Sequence, residues 1–132
     1  MSKSIYCSIT NQSDKRIIAT EIEVARSFFR RLRGLLGRES LQEGEGILLW
    51  PCSSIHCIGM HFPIDVIFLD RHSRVISLRE YMYPCSKASD KKARCVLELS
   101  AGEIKKHGIK VGDQLLICFN YGKETHEESL EQ

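Results

Sequence analysis

The chain has 132 residues, 42% hydrophobic and 27% charged, with nineteen lysines and arginines set against seventeen acids for a net charge of +2. That length gives room for one domain, large enough to bury a core without a metal or disulfide staple. The near balance of charge leaves no broad electrostatic footprint for nucleic acid. No run approaches the roughly 18 apolar residues of a membrane span.

Six cysteines are an even count that would suit a disulfide framework in an exported protein. The N-terminal stretch MSKSIYCSITNQSDK has no apolar export core, however. The expectation is a cytoplasmic protein with reduced thiols. Cys7, Cys95 and Cys118 fall on the apolar phase of strand-like segments and read as small core residues.

Taken in order, Ser4 to Thr10 alternates Ile5, Cys7 and Ile9 against polar neighbours, the period of a half-buried strand. Turn chemistry at Asn11 to Asp14 leads to a returning strand over Arg16 to Thr20. Val24, Phe28, Leu32 and Leu35 then recur at helical spacing, which predicts an amphipathic helix over about 23–33, broken by Gly34 and Gly37. Its basic residues, Arg26, Arg30, Arg31 and Arg33 with Arg38 beyond, read as a solvated face rather than a phosphate contact. Short strands are predicted at Ile47 to Trp50, Ile64 to Asp70, Arg74 to Arg79, Ala93 to Leu99 and Gln114 to Phe119. Tyr81 to Lys92 reads as an irregular surface loop. Ser100 and Glu103 form a capping-box pattern that would open a helical turn over about 101–107. Six or seven strands with one helix predict a mainly β fold, a sandwich or barrel, over 1–121. A disordered polar tail is expected over 122–132.

The chemistry concentrates between Pro51 and Asp70. Cys52, His56 and Met60 stand four apart, with Cys57 and His61 beside them. Residues four apart on a strand are about 13 Å apart, so a single metal site requires the loop to fold back. Sulfur with imidazole would suit copper or zinc, and Cys52, His56, Cys57, Met60 and His61 are the candidate ligands, although no cofactor is predicted. A catalytic reading takes Cys52 or Cys57 as nucleophile, His56 as base and Asp65 as orienter. Asp65 stands alone in an apolar run and needs a partner or a raised pKa, as a structural anchor or as a ligand-facing acid.

Gly34-Leu35-Leu36-x-Arg38, Gly44-x-Gly46-x-Leu48, Met60 with Asp65 five residues on, Val96-Leu97-Glu98-Leu99 with Gly102, and Gly112-Asp113 follow one another along the chain. In this order they resemble the signature of domain-of-unknown-function family 192, over about Ile18 to Phe119. The resemblance implies a compact β-rich domain with a packed helix and carries no established activity. Gly59 before Met60 and His61-Phe62 after it depart from the commoner family pattern of an aromatic residue before the methionine and Lys-Asn after it.

The residues support three functional expectations. The first is a non-catalytic module whose pocket, formed by Cys52, His56, Met60 and Asp65 and rimmed by Trp50 and Arg38, takes a small molecule or peptide. The second is a thiol- or carboxylate-dependent hydrolase. The third is an accessory protein that docks a larger protein assembly through the Tyr81 to Lys92 loop. Neither nucleic acid nor membrane is an expected partner.

Overall fold

Alternation of buried and exposed residues organises the chain from its first strand. The structure, a computed structural model, describes residues 5–26, 38–57, 60–121 and 124–128. β1 (Ile5–Asn11) buries Cys7, Ile9 and Asn11, and β2 (Arg16–Ala25) returns antiparallel to it. Glu23 to Ala25, predicted to begin the helix over about 23–33, are strand instead. Ile22 and Val24 keep the period of two and pair with Cys7 and Ile5. The rest of that prediction, from residue 27 on, lies outside the described residues.

β3 (Glu45–Leu49) joins β2 in parallel, which requires a crossover through 26–44. The remaining strands are β4 (Ser54–His56), β5 (Ile64–Leu69), β6 (Val75–Met82), β7 (Lys87–Ser89) and β8 (Cys95–Ser100). A single helical turn, α1 (Glu103–Lys106), precedes β9 (Leu115–Tyr121) and β10 (Glu124–Glu128). Eight strands form one mixed sheet in the order β10-β9-β1-β2-β3-β8-β5-β6, and β4 pairs with β7 apart from it. The architecture is mainly β, as predicted, with more strands than the six or seven expected. The additions fall where composition reads as loop or tail: β4 in the Cys/His segment, β7 in the expected surface loop and β10 in the expected disordered tail. β10 is held by antiparallel backbone pairing to β9, which makes no demand on side-chain polarity.

β5 is buried at every position because core lies on both of its faces. Ile67 and Leu69 join Leu48, Leu97 and Leu99 in a first core, together with Ile9, Ile22, Ile117, Phe119 and Ile104 of α1. Ile64, Val66 and Phe68 face a second core with Ile47, Val96, Ile55, Cys57, Met60 and Met82. The sheet itself curls over the first core. Trp50 and Phe119 meet with ring centroids 5.8 Å apart. In a flat sheet the three strand spacings between β3 and β9 would hold them about 14 Å apart. Arg74, just before β6, bridges Gln114, just before β9, so the two sides approach at one end without closing a barrel. Cys7 and Cys95 are core residues as expected, whereas Cys118 is only half-buried because Leu115, Ile117 and Phe119 hold the inward phase of β9.

β3 and β8 approach closely at Gly46. A Cβ there would overlap the backbone carbonyl of Glu98 and lie 2.9 Å from Leu99 Cδ2. Gly46→Ala is expected to lose about 1–3 kcal/mol in a denaturant titration. An unchanged midpoint would contradict so tight a contact between β3 and β8.

Candidate functional site

Asp65 is fully buried in the middle of β5, where a bare carboxylate would be strongly destabilising. A bulge in β6 sets Glu80 and Tyr81 opposite it, between the Ile64–Met82 and Val66–Arg79 pairs. Tyr81 has φ 52°, and its N–H donates to Asp65 Oδ1 at 2.9 Å. Asp65 Oδ2 accepts from the N–H groups of Gly102, at 3.1 Å, and Ile104, at 2.8 Å. The carboxylate of a neighbouring strand therefore caps α1. The Ser100–Glu103 capping box does not form, because the cap position falls on Gly102, which has no side chain to offer. At φ 98°, with the Tyr81 hydroxyl 3.2 Å from any added Cβ, that position favours glycine.

Asp65 does not share a cavity with the sulfurs and imidazoles of the preceding loop. Its phase of β5 is that of Ile67 and Leu69, and the residue it caps, Ile104, packs in the same first core. Cys57 and Met60 are buried in the second core, on the other face of the sheet. Cys52 is half-buried at the margin of that core, its thiol donating to the Ser54 carbonyl at 3.1 Å. His56 and His61 are exposed. Trp50 is buried in the first core with the Arg26 guanidinium 4.8 Å above its ring, and Arg38 pairs with Glu23 at 3.4 Å. The predicted pocket of Cys52, His56, Met60 and Asp65, rimmed by Trp50 and Arg38, is thus divided between two faces and the surface. The cause is alternation: β5 turns Asp65 one way and Val66 the other, and β4 turns His56 out between the inward Ile55 and Cys57.

The same alternation separates the members of the proposed Cys–His–Asp triad. Of the candidate metal ligands, His56 and His61 are exposed while Cys57 and Met60 are buried. Among the described residues, no three His, Cys, Asp or Glu side chains are grouped to hold an ion. Cys57 instead clamps β7. Its N–H donates to the Ser86 carbonyl at 2.7 Å, and its own carbonyl accepts from the Cys85 N–H at 3.1 Å. Burial holds the Cys57 thiol above its ordinary pKa, with Ser86 opposing the rise and the Glu98 carboxylate adding to it.

An open groove of about 570 Å³ lies over the small sheet, lined by Ser54, Ile55, His56, Lys87, Ala88 and Ser89 together with Arg79 of β6. Its walls follow from two matching triplets, polar–apolar–polar, paired Ser54 with Ser89, Ile55 with Ala88 and His56 with Lys87. Ile55 and Ala88 turn into the second core, which leaves the serines, the imidazole and the ammonium at the surface. The Arg79 guanidinium is held 5.6 Å from the centre of the Phe68 ring, with Nη1 donating to the Leu78 carbonyl at 2.9 Å. Of the predicted site residues, His56 alone lines this groove. Arg79, Lys87 and the two serines were not among the predicted residues: Arg79 lies outside the paired triplets, and runs of three residues are too short for alternation to mark.

Glu98 is a second buried acid, in cross-strand register with Ile47 and Val66 on the second-core face. Burial pushes its carboxyl up to about 7. An unfolded chain releases this proton near pH 4.5, whereas the folded chain retains it until about 7. The contribution to stability is therefore complete below pH 4.5, falls as pH rises to about 7 and is flat above. The fall is on the order of 3 kcal/mol. Glu98→Gln should flatten that slope in denaturant titrations across the window, and an unchanged slope would place the proton elsewhere. Asp65→Asn keeps one acceptor and sets an NH₂ group against a backbone N–H. It is expected to lose about 2–4 kcal/mol, and a loss well under 1 kcal/mol would show that the three N–H groups do not depend on the carboxylate.

Two solved structures share this fold. A candidate transcription regulator from Sinorhizobium meliloti 1021 matches with a TM-score of 0.74 and 23% identity, over 86% of this chain and 92% of its own. A protein of unknown function from Novosphingobium aromaticivorans DSM 12444 matches with a TM-score of 0.73 and 24% identity, over 85% of this chain and 84% of its own. No curated protein matches the chain with significance. The family model of DUF192, described as "Uncharacterized ACR", matches residues 9–117, which include the Asp65 cap, the clamp at Cys57 and the whole groove. The chain belongs to the DUF192 family.

Proposed function

We propose that the protein is a non-catalytic binding module and that the groove over β4 and β7 is its ligand surface. The observation that carries this reading is the groove itself, an open depression lined by five polar side chains together with Ile55 and Ala88. Concave surfaces with a few convergent polar groups are where small molecules and peptides bind. Its base is firm, since both strands rest on the second core and Cys57 fixes the chain on either side.

The hydrolase reading has less behind it. Burial keeps the Cys57 thiol from ionising readily, and both Asp65 oxygens are occupied by backbone donors. A nucleic-acid role, the one the Sinorhizobium meliloti protein's description suggests for that protein, would call for a broad basic face. The net charge of +2 argues against one here. Backbone amide shifts of the labelled protein, recorded against a panel of amino acids, small organic acids and sugar phosphates, provide the test. Shifts are expected at Ser54 to His56 and Lys87 to Ser89. Binding confined to other residues, or no binding across the panel, would remove the groove as the ligand surface.

A further inference from the structure

We propose that the groove holds a phosphoryl group, carried on a small organic phosphate, between Arg79, Lys87 and His56. This rests on the reading of the groove as the ligand surface and adds the chemistry of what enters it. Three nitrogen-bearing side chains line the groove, no carboxylate lines it, and they come from three different strands. His56 and Lys87 are directly opposite each other in the β4–β7 ladder, so their Cβ atoms are about 5 Å apart. Neither side chain makes a hydrogen bond or ion pair with another described residue. The Ser54–Ser89 pair, one step along in each strand's alternation, adds two hydroxyl donors on the same side.

Arg79 completes the arrangement from β6. Its guanidinium is held in place by the Phe68 ring and the Leu78 carbonyl, so little freedom is lost when it meets an anion. One N–H is used on that carbonyl, and the rest of the fork remains for a ligand. A lone carboxylate is satisfied by a single arginine fork. Donors arriving from three strands suit a group with three terminal oxygens and a charge approaching −2 at neutral pH. Ile55 and Ala88, the apolar members of the lining, offer the organic part of the ester an apolar contact.

Asp90 is the opposing charge. Its carboxyl is held below the usual range by the Ser77 hydroxyl, then by the Lys92 amide, with Arg79 a smaller influence. Part of the Arg79 charge is therefore already balanced, and removing the Asp90 charge should strengthen anion binding.

The test titrates the full-length protein with inorganic phosphate, phenyl phosphate and acetate at low salt, followed by amide shifts. Wild type, Arg79→Gln, Lys87→Gln and Asp90→Asn are compared, each first checked for an unchanged spectrum away from the groove. Phenyl phosphate is expected to bind more tightly than inorganic phosphate, and acetate more weakly than either. Arg79→Gln and Lys87→Gln should each weaken phenyl phosphate about tenfold, and Asp90→Asn should tighten it. Acetate binding as well as phenyl phosphate would overturn the phosphoryl assignment in favour of a carboxylate. Phosphate shifts that ignore both cation variants would overturn it too. A single-stranded oligonucleotide binding far more tightly than the monoester would overturn it in favour of a nucleic-acid backbone. If phosphates fail while other members of the ligand panel still shift the groove, the phosphoryl assignment falls and the binding surface stands. If nothing shifts the groove, both fall.

Discussion

One buried carboxylate holds together the parts of this fold that hydrophobic packing alone would leave loose. A deprotonated aspartate has two acceptor oxygens and no donor of its own. Asp65 meets three backbone N–H groups that have no ladder partner: one from the bulge in β6 and two from the start of α1. A four-residue helix has no stability in isolation, and α1 persists because the sheet reaches over to cap it. Ile104 and Ile109 then cover one end of the first core. Tyr81 belongs to the same knot twice, through its amide on Asp65 and its hydroxyl over Gly102.

Asp65 and Glu98 show how differently a protein can treat the same buried functional group. Asp65 is surrounded by donors supplied by a bulge and a helix start. Glu98, on the adjacent strand, faces the opposite core and is left to burial. The sheet thereby separates the first core from a second core that holds Cys57, Met60 and Met82, the raised carboxyl and, on its outer surface, the groove. Groove side chains can change without disturbing either core, since only Ile55 and Ala88 are shared between surface and interior.

Much of this was legible in the sequence, and the failures have physical causes. The period of two in Ile5, Cys7 and Ile9, and the apolar run from Ile64 to Leu69, mark β1 and the central position of β5. A single acid in that run marks Asp65 as needing partners. It cannot say that they are backbone amides, because those amides are freed by a tertiary bulge and not by any residue type. The four-residue spacing of Cys52, His56 and Met60 suggested convergence, but a strand of only three residues, too short for periodicity to reveal, turns His56 outward and its neighbours in. Val24 fits a helical stripe and a strand phase equally well, and β1 decides between them. β10 could not be read from side chains at all, because its pairing is made by the main chain.

The position of β1 has a consequence for how the molecule is made. It lies between β2, its neighbour in the chain, and β9, which follows only after every other element from β2 to α1, with Tyr6 opposite Asn120 and Asn11 opposite Leu115. As the polypeptide emerges from the ribosome, one side of β1 offers unsatisfied main-chain groups until β9 has followed. The nascent chain is therefore most open to wrong pairing in that interval, and the arrival of β9 closes it.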